Sequence, residues 1–242
     1  MKQGFVKTSN VDRYLAAIEQ MTRRTAPEAS LVVAAGDAGF GKSRTLEQWT
    51  VHNKAIYVRC KNGVTVHWLL KDILRELGSD RPAARSVEAL FDQVSEILLK
   101  DPHTIVVDEV EYAMVGNNPV LDTVRDLTDS ALVEAVLGGR EYITGKLRSQ
   151  KQIWSRVSAL AEFKPLGASD IRLIFDQLCE VRVDDQVIDE VARQSEGRIR
   201  EIVKSIGAIE TLGARNKGAV IGLPMVSGKA LVPEIHRARR AA

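Results

Sequence analysis

The feature that most constrains the fold of this chain is a glycine-rich loop at residues 36–43, which lies between a short apolar run and a segment that favours a helix. Its residues, Gly-Asp-Ala-Gly-Phe-Gly-Lys-Ser, fit the pattern G-x-x-x-x-G-K-[ST]. In this pattern the glycines let backbone amides close around phosphate oxygens, at the positive end of the following helix. The context predicts a nucleoside triphosphate site, with a chance glycine turn as the alternative.

The residues of this loop have separate predicted roles. Lys42 is expected to reach the β and γ phosphates of ATP, and the hydroxyl of Ser43 to bind Mg²⁺. Thr45 is expected near the ribose and the α phosphate, although a packed or solvated helix hydroxyl fits that position equally well. The predicted nucleotide-binding residues are Gly36, Asp37, Ala38, Gly39, Phe40, Gly41, Lys42, Ser43, Arg44 and Thr45.

A second apolar run, residues 104–107, ends in the acids Asp108 and Glu109. We expect this strand to lie beside the first one, so that Asp108 holds the Mg²⁺ shell and Glu109 orients or deprotonates the attacking water. Binding of ATP needs only the aspartate, so the glutamate predicts hydrolysis. Acids that cap the next helix are the alternative.

Apolar β-rich runs alternate with helical segments as far as residue 167. Parallel strands need a crossover of a dozen or more residues, so this alternation predicts an α/β fold with a three-layer sandwich and a parallel sheet. The predicted strands are 31–35, 55–59, 104–107, 132–137 and 162–165. The predicted helices are 11–24, with Asn10 as N-cap, 43–52, 66–77 and 86–99.

From residue 169 onward the pattern contains helices only, at 170–179, 185–194 and 198–212. The predicted domains are therefore an α/β domain at 1–167, a small helical lid at 168–213 and a basic tail at 214–242. Residues 213–233 are expected to form a loop or a hairpin. The tail either contacts phosphates or is a solvated terminus; its charged residues are Arg215, Lys217, Lys229, Arg237, Arg239, Arg240 and Glu234.

Composition excludes several classes of protein. The net charge of +2 is close to neutral, and the longest apolar runs are far shorter than the roughly 20 residues of a membrane-spanning helix. No basic and apolar leader opens the chain, so a cytoplasmic location without a membrane partner is expected. Cys60 and Cys179 lie in unrelated segments, which favours buried thiols over a disulfide or a zinc site.

Together these motifs resemble the AAA+ ATPases along nearly the whole chain. Residues 152–157, Gln-Ile-Trp-Ser-Arg-Val, resemble the Ser-Arg-Cys segment of clamp loaders in that family. The resemblance implies that Arg156 is an arginine finger that reaches the γ phosphate in a neighbouring subunit, and therefore that the protein is a homo-oligomer. A surface arginine on a helix is the alternative.

The later part of the chain resembles the same family. Residues 163–166 resemble its fifth strand and the entry to its lid, and residues 196–202 resemble its G-x-x-R segment. The second match implies that Arg200 is the lid arginine that contacts nucleotide, with Arg198 as the competing candidate. The end of the fourth strand, where the family usually has Asn, Ser or Thr, holds Gly138 and Gly139, which implies slow hydrolysis.

Within the AAA+ proteins the chain resembles the transposition ATPases, the phage Mu B protein and its relatives. The shared features are the Val-Val-x-x-Gly-x-x-Gly-x-Gly-Lys loop, the Val-Asp-Glu-x-Glu acids and the Gly-Arg-Glu stretch. The resemblance implies ATP and Mg²⁺ as cofactors, a ring or helical filament on double-stranded DNA, and a transposase as partner. A secretion-associated or initiator/loader ATPase, or a signalling NTPase that does not bind DNA, is the alternative.

In that family the segment after the second strand tracks DNA. Here it offers Arg59, Lys61, Asn62 and Thr65 around a glycine. Such groups suit phosphate contacts that do not depend on sequence and that weaken with salt. A solvated loop is the alternative, and because no aromatic residues interleave with the basic ones, base stacking is not expected.

Overall fold

The computed structural model describes residues 1–116, 119–216, 219–228 and 231–232. The chain divides into two compact units. The first, an α/β unit, comprises residues 13–37 and 42–163; the second, a helical unit, comprises residues 1–12 and 38–41 and the described residues from Lys164 onward. Within the described ranges, no helix combines the length and the apolar character that crossing a membrane requires.

The α/β unit is built on a sheet of five parallel strands, which confirms the predicted α/β fold. The central strands are buried along almost their whole length, as expected for a parallel sheet covered on both faces. The outer strands alternate between buried and exposed residues. The strands are β1 (Leu31–Gly36), β2 (Ala55–Arg59), β3 (Thr104–Asp108), β4 (Ala135–Gly139) and β5 (Val157–Phe163).

The first four helices follow the predicted segments within a few residues, whereas the helices between residues 120 and 154 were not predicted. Ser86 and Thr65 cap their helices through side-chain oxygens, which explains why two starts were predictable. The helices are α1 (Ser9–Thr22), α2 (Lys42–His52), α3 (Val66–Glu76), α4 (Val87–Lys100), α5 (Val120–Ala131), α6 (Ile143–Ser149) and α7 (Lys151–Trp154), with a 3₁₀ helix at Val110–Met114.

The strand order β2-β3-β4-β1-β5 corrects one expectation. β3 does not lie beside β1, because β4 pairs with both of them and separates them. β4 also begins later than predicted, since Leu132 ends α5 in a left-handed conformation with 78% of its surface exposed. β5 begins earlier, at Val157, because its alternating edge pattern of small residues gives a weak strand signal.

The helical unit contains α8 (Ala168–Leu178), α9 (Asp185–Ser195), α10 (Ile199–Arg215) and the short α11 (Leu223–Val226). Its core consists of aliphatic side chains from these helices at helical spacing, including Ile174, Val187, Val191, Ile202, Ile206 and Ile209. The described part of residues 213–233 is therefore partly helical, and Ile221 forms a bridge with Val183, so the predicted loop or hairpin was wrong in part.

The first residues of the chain pack within the helical unit. Lys2 N donates to Leu178 O at 2.9 Å, and the amide and hydroxyl of Ser9 donate to Asp170 at 2.8 and 2.6 Å. The sequence analysis placed these residues in the α/β domain, and the predicted domain boundaries stay a prediction. Of the predicted tail, Arg215 is exposed at the end of α10, whereas Lys217, Lys229, Glu234, Arg237, Arg239 and Arg240 lie outside the described residues.

Candidate nucleotide-binding site

The glycine-rich loop connects β1 to α2, as its sequence pattern predicts. Gly39 and Gly41 have φ angles of 93° and 89°, a left-handed conformation that glycine adopts without strain. Gly36 is required for a different reason: a Cβ there would lie 2.5 Å from the Phe163 carbonyl oxygen on β5. Lys42 Nζ lies 3.4 Å from Gly36 O, so its ammonium group folds back over the loop.

The remaining predicted nucleotide-binding residues differ in exposure. Asp37, Ala38 and Arg44 are exposed, and Ser43 is partly exposed at the start of α2. Thr45 is buried in α2, which fits the packed hydroxyl that was its alternative interpretation.

Asp108 is fully buried at the end of β3, and both of its carboxylate oxygens accept hydrogen bonds. Tyr57 Oη donates to Oδ2 at 2.8 Å, and the amide of Glu109 donates to Oδ1 at 2.8 Å. Burial, and then the charge of Asp108, raises the pKa of Tyr57, so its hydroxyl remains a neutral donor. Tyr57 on β2 was missed in the sequence because a half-buried strand tyrosine carries no motif.

The packing around β4 requires a glycine at position 138. A Cβ on Gly138 would lie 2.9 Å from Asp108 Oδ1 and 2.6 Å from Leu46 Cδ1. The absent side chain therefore leaves room for the Asp108 carboxylate above β4, the strand that separates β3 from β1. The family's usual Asn, Ser or Thr would not fit here without a shift of Asp108 or Leu46.

Glu109 follows β3 in a left-handed conformation with φ of 56°. Its Oε1 accepts a hydrogen bond from Arg59 Nη2 at 2.8 Å, and this bond raises the pKa of the Arg59 guanidinium. Arg59 is aligned with Asp108 in the β2–β3 register, which brings the two side chains to the same sheet edge. The arginine predicted to contact DNA is thus engaged with the predicted catalytic base.

Glu111 connects two motifs that the sequence analysis quoted separately. Its side chain is 9% exposed, with Oε1 3.2 Å from Arg140 Nε, and Oε2 accepts from the Arg140 amide at 3.3 Å. A Cβ on Gly139 would lie 2.7 Å from Glu111 Oε2, so this contact also requires a glycine. The pairing joins the segment after β3 to the end of β4.

The tip of the glycine loop, Ala38–Gly41, is held within the helical unit. Arg198 Nη1 donates to Ala38 O at 2.6 Å, and its guanidinium lies 5.2 Å from the centroid of the Phe40 ring. Asn10 Nδ2 donates to Phe40 O at 3.1 Å and to Lys164 O at 2.8 Å, while its Oδ1 accepts from Lys164 N at 2.9 Å. Asn10 lies inside α1, so the predicted N-cap role was wrong.

The two candidate lid arginines differ in their contacts. Arg198 precedes α10 and touches the loop, whereas Arg200 is exposed on the first turn of that helix. Gly197, with φ of 70°, fixes this start: a Cβ there would lie 2.5 Å from Leu166 N and 2.8 Å from Leu166 O. Contact of Arg200 with nucleotide stays a prediction.

Arg156 lies just before β5 and is paired with Asp129 on α5. Its Nε and Nη2 donate to Oδ1 and Oδ2 of Asp129 at 3.2 and 3.0 Å, a two-point geometry that raises the pKa of the guanidinium. The side chain is 29% exposed. Its predicted role as an arginine finger would require exchange of this partner.

The segment after β2 differs from its predicted use in two positions. Arg59 is engaged with Glu109, and Thr65 caps α3 by accepting from Trp68 N at 3.2 Å. Lys61 and Asn62 are exposed, and Lys61 Nζ lies 5.7 Å from the centroid of the Trp68 ring. The fold thus places an aromatic ring beside a cation, which the sequence analysis did not expect.

A cleft of about 450 Å³ adjoins this segment along α3. It is rimmed by cations, and Lys71 among them is exposed. Its lining residues include Thr65, His67, Trp68, Lys71, Arg75 and Arg81.

The residues of the site fit MgATP. Within the described ranges no cluster of three or more His, Cys, Asp or Glu residues could hold a metal by itself. Mg²⁺ needs no such cluster, because it is bound by one or two protein oxygens together with phosphates and water. Asp108 and the hydroxyl of Ser43 are the oxygens predicted for this role, and their contact with Mg²⁺ stays a prediction.

Comparisons with known proteins identify a family and a fold. No curated protein matches the sequence. The structure resembles the Aeropyrum pernix ORC2 protein, in ADPNP-ADP complexes, with 12% identity, a TM-score of 0.67 and coverage of 92% of this chain and 71% of that one. It also resembles the Aeropyrum pernix ORC1 protein in complex with DNA, with 17% identity, a TM-score of 0.64 and coverage of 89% and 62%.

A third similar structure is Cdc6p from Pyrobaculum aerophilum, with 15% identity, a TM-score of 0.63 and coverage of 90% of this chain and 64% of that one. This chain therefore spans less than two thirds of ORC1 and Cdc6p, and at these identities the likeness shows the fold. A family model described as an AAA domain matches residues 25–147, from before β1 into α6. The chain belongs to the AAA domain family.

Proposed function

We propose that this protein binds MgATP and hydrolyses it. The observation that carries the proposal is the pair of acids at the end of β3, with Asp108 extending over the side-chain-free Gly138 and Glu109 next to it. In this assignment Lys42 and the loop amides hold the phosphates, while Ser43 and Asp108 hold Mg²⁺. When bound, Mg²⁺ neutralises charge on the phosphates.

Glu109 orients the attacking water and accepts its proton. To do so its carboxylate exchanges the Arg59 guanidinium for water, because Oε1 is engaged with Nη2 of Arg59. Tyr57 keeps Asp108 in place during this exchange, since its hydroxyl binds the other carboxylate.

Two arginines complete the proposed mechanism. Arg156 leaves Asp129 and stabilises the γ phosphate of ATP bound to a neighbouring copy, so that turnover depends on a homo-oligomer, either a ring or a helical filament. Arg200, exposed on the first turn of α10, contacts nucleotide within its own subunit.

The proposed binding partner is double-stranded DNA, held without sequence preference. Supporting this, Lys61, Asn62 and Lys71 are exposed, Lys61 lies over the Trp68 ring, and the structurally similar ORC1 protein is in complex with DNA. The resemblance to transposition ATPases extends the proposal: ATP favours an oligomer on target DNA, which is delivered to a transposase, and hydrolysis disassembles it.

Fluorescence anisotropy with a labelled random duplex, with and without ATP and over a salt series, tests the DNA part. We expect binding that requires ATP and weakens steeply with salt. Lys61→Ala and Lys71→Ala should lower the salt slope, whereas Lys2→Ala, far along the chain in the helical unit, should not. Absence of binding at every salt concentration would favour a signalling NTPase.

A strand-transfer assay tests the transposition part. A transposase, its donor ends and a target plasmid are incubated with ATP, with and without this protein. Stimulation supports target delivery. The initiator/loader alternative is favoured by the shared fold of the ORC and Cdc6p structures. It predicts ATP-dependent DNA binding without stimulation of strand transfer.

A further inference from the structure

Two side chains hold carbonyl oxygens at the tip of the glycine loop, and neither belongs to the loop motif. Arg198 donates to Ala38 O at 2.6 Å, and Asn10 donates to Phe40 O at 3.1 Å. Asn10 is 1% exposed and is itself fixed by two further hydrogen bonds to the backbone of Lys164. Arg198 is fixed by its stacking on the Phe40 ring.

The geometry of the peptide bond links these contacts to the phosphate site. A trans peptide unit is planar, and its carbonyl oxygen and amide hydrogen point in opposite directions. The carbonyl of Ala38 shares a peptide unit with the amide of Gly39, and the carbonyl of Phe40 shares one with the amide of Gly41. A donor that holds each carbonyl therefore turns the following amide to the opposite side.

The two glycines alone do not specify this arrangement. Gly39 and Gly41 adopt φ angles of 93° and 89°, but glycine visits positive and negative φ about equally, so the free loop has many conformations. A Cβ on Gly41 would meet Ile199 Cγ2 at 3.6 Å, an ordinary contact, so crowding at this position does not by itself select the loop conformation. Hydrogen bonds to its carbonyls select one conformation and reduce the ordering required when an anion binds.

We infer that Arg198 and Asn10 are positioning residues that aim the Gly39 and Gly41 amides at the phosphates. The inference rests on the proposed nucleotide site and assigns Arg198 a role distinct from that of a lid arginine. Arg198 acts through the hydrogen bond that it donates to Ala38 O, and its positive charge is not needed for this role. Asn10 performs the same task one peptide unit later on Phe40 O.

Substitutions of Arg198 test whether it acts as a hydrogen-bond donor or through its positive charge. Loss of one hydrogen bond in Arg198→Ala should weaken MgADP binding in calorimetry roughly two- to tenfold. Arg198→Gln removes the charge and keeps an amide donor on a side chain two bonds shorter, so we expect its affinity to lie between those of Arg198→Ala and the wild type. Arg193→Ala, which removes an exposed arginine paired with Glu190 on α9, is the matched control and should bind normally.

Amide resonances report the two anchors separately. In ¹H–¹⁵N spectra of the full chain, pyrophosphate should shift the Gly39 and Gly41 amides. Arg198→Ala should reduce the response of Gly39 more than that of Gly41. Asn10→Ala should do the reverse, and Asn10→Ser, a neutral side chain too short to hold both carbonyl oxygens, is the second variant if Asn10→Ala does not fold.

The outcomes separate this inference from the proposed function. If the wild type binds no MgADP, the nucleotide site itself is wrong. If the wild type binds and Arg198→Ala weakens MgADP binding without reducing the response of the Gly39 amide to pyrophosphate, Arg198 acts by charge on the phosphates and the inference is overturned. Unchanged affinity and unchanged glycine shifts in Arg198→Ala would overturn it as well.

Discussion

Arg59, the last residue of β2, donates a 2.8 Å hydrogen bond from Nη2 to Oε1 of Glu109, the residue that follows β3. The side chains are 48% and 33% exposed, so water competes for both partners. Exposed ion pairs of this kind contribute little to stability. Such a pair restrains the glutamate and still allows it to leave when another partner is present.

Removal of Arg59 should therefore raise basal ATP turnover. In Arg59→Ala the Glu109 carboxylate is free to face water. Because the lost ion pair is exposed and weak, we expect the rate to rise only roughly two- to fivefold. Arg59→Lys retains the charge and should remain near the wild-type rate. Steady-state phosphate release at saturating ATP measures this, and a slower Arg59→Ala enzyme would show that the arginine assists the reaction.

Glu109→Gln should retain ATP and lose hydrolysis. The amide keeps the shape of the side chain but cannot accept a proton, which costs roughly 10²- to 10⁴-fold in rate. Retained ATP should keep the oligomer on DNA, which size-exclusion chromatography with a labelled duplex detects. Unchanged turnover in this variant would remove Glu109 from the role of base.

Lys42→Ala should abolish ATP binding in calorimetry. The ammonium lies 3.4 Å from Gly36 O, and Lys42 is the one Lys or Arg among residues 36–43. Arg44→Ala, which removes an exposed cation two residues later, is expected to have a smaller effect. Wild-type affinity of Lys42→Ala would place the phosphates elsewhere.

Arg156→Ala should lose ATPase activity and keep ATP affinity if Arg156 serves a neighbouring subunit. Asp129→Asn is the matched control, because it removes the charge and one of the two acceptor oxygens that hold Arg156 and leaves the arginine in place. A finger role predicts normal or higher turnover in Asp129→Asn. If both variants lose activity and thermal stability together, the pair is structural.

Gly138→Ser should impair Mg²⁺-dependent ATP binding, although it introduces a residue type that the family uses at this position. Its Cβ would meet Leu46 and the Asp108 carboxylate at 2.6 and 2.9 Å, and overpacking of this kind costs about 1–3 kcal/mol. Calorimetry with and without Mg²⁺ measures the loss. Faster hydrolysis in Gly138→Ser would show that the site tolerates the side chain.

The sequence predicts the α/β architecture because its signals are local. Strand, glycine loop and helix follow one another in the chain, and each apolar run of the central strands is continuous. The order of the strands is not local, and β3 was therefore placed beside β1 although β4 separates them. The edge strand β5 was shortened because its alternating small residues resemble a loop.

The site shows the same division. Lys42, Asp108 and Glu109 carry motifs, whereas their partners are recognisable only once the chain is folded. Tyr57 and Arg59 precede Asp108 by some 50 residues, and Asn10 reaches Phe40 across 30. No spacing rule in a single sequence connects such pairs, because the connection is made by strand register and by packing of the chain start.

The close approach of Gly197 to Leu166 makes the nucleotide site sensitive to mutations in this turn. The turn at Gly197 has no room for a methyl group, because the Leu166 backbone packs directly against it. This packing holds the Gly197 backbone against Leu166. Arg198 is the next residue, so the position of its backbone depends on the position of Gly197. Mutations that displace this turn, although remote from any phosphate, should weaken nucleotide binding by up to the two- to tenfold expected for Arg198→Ala.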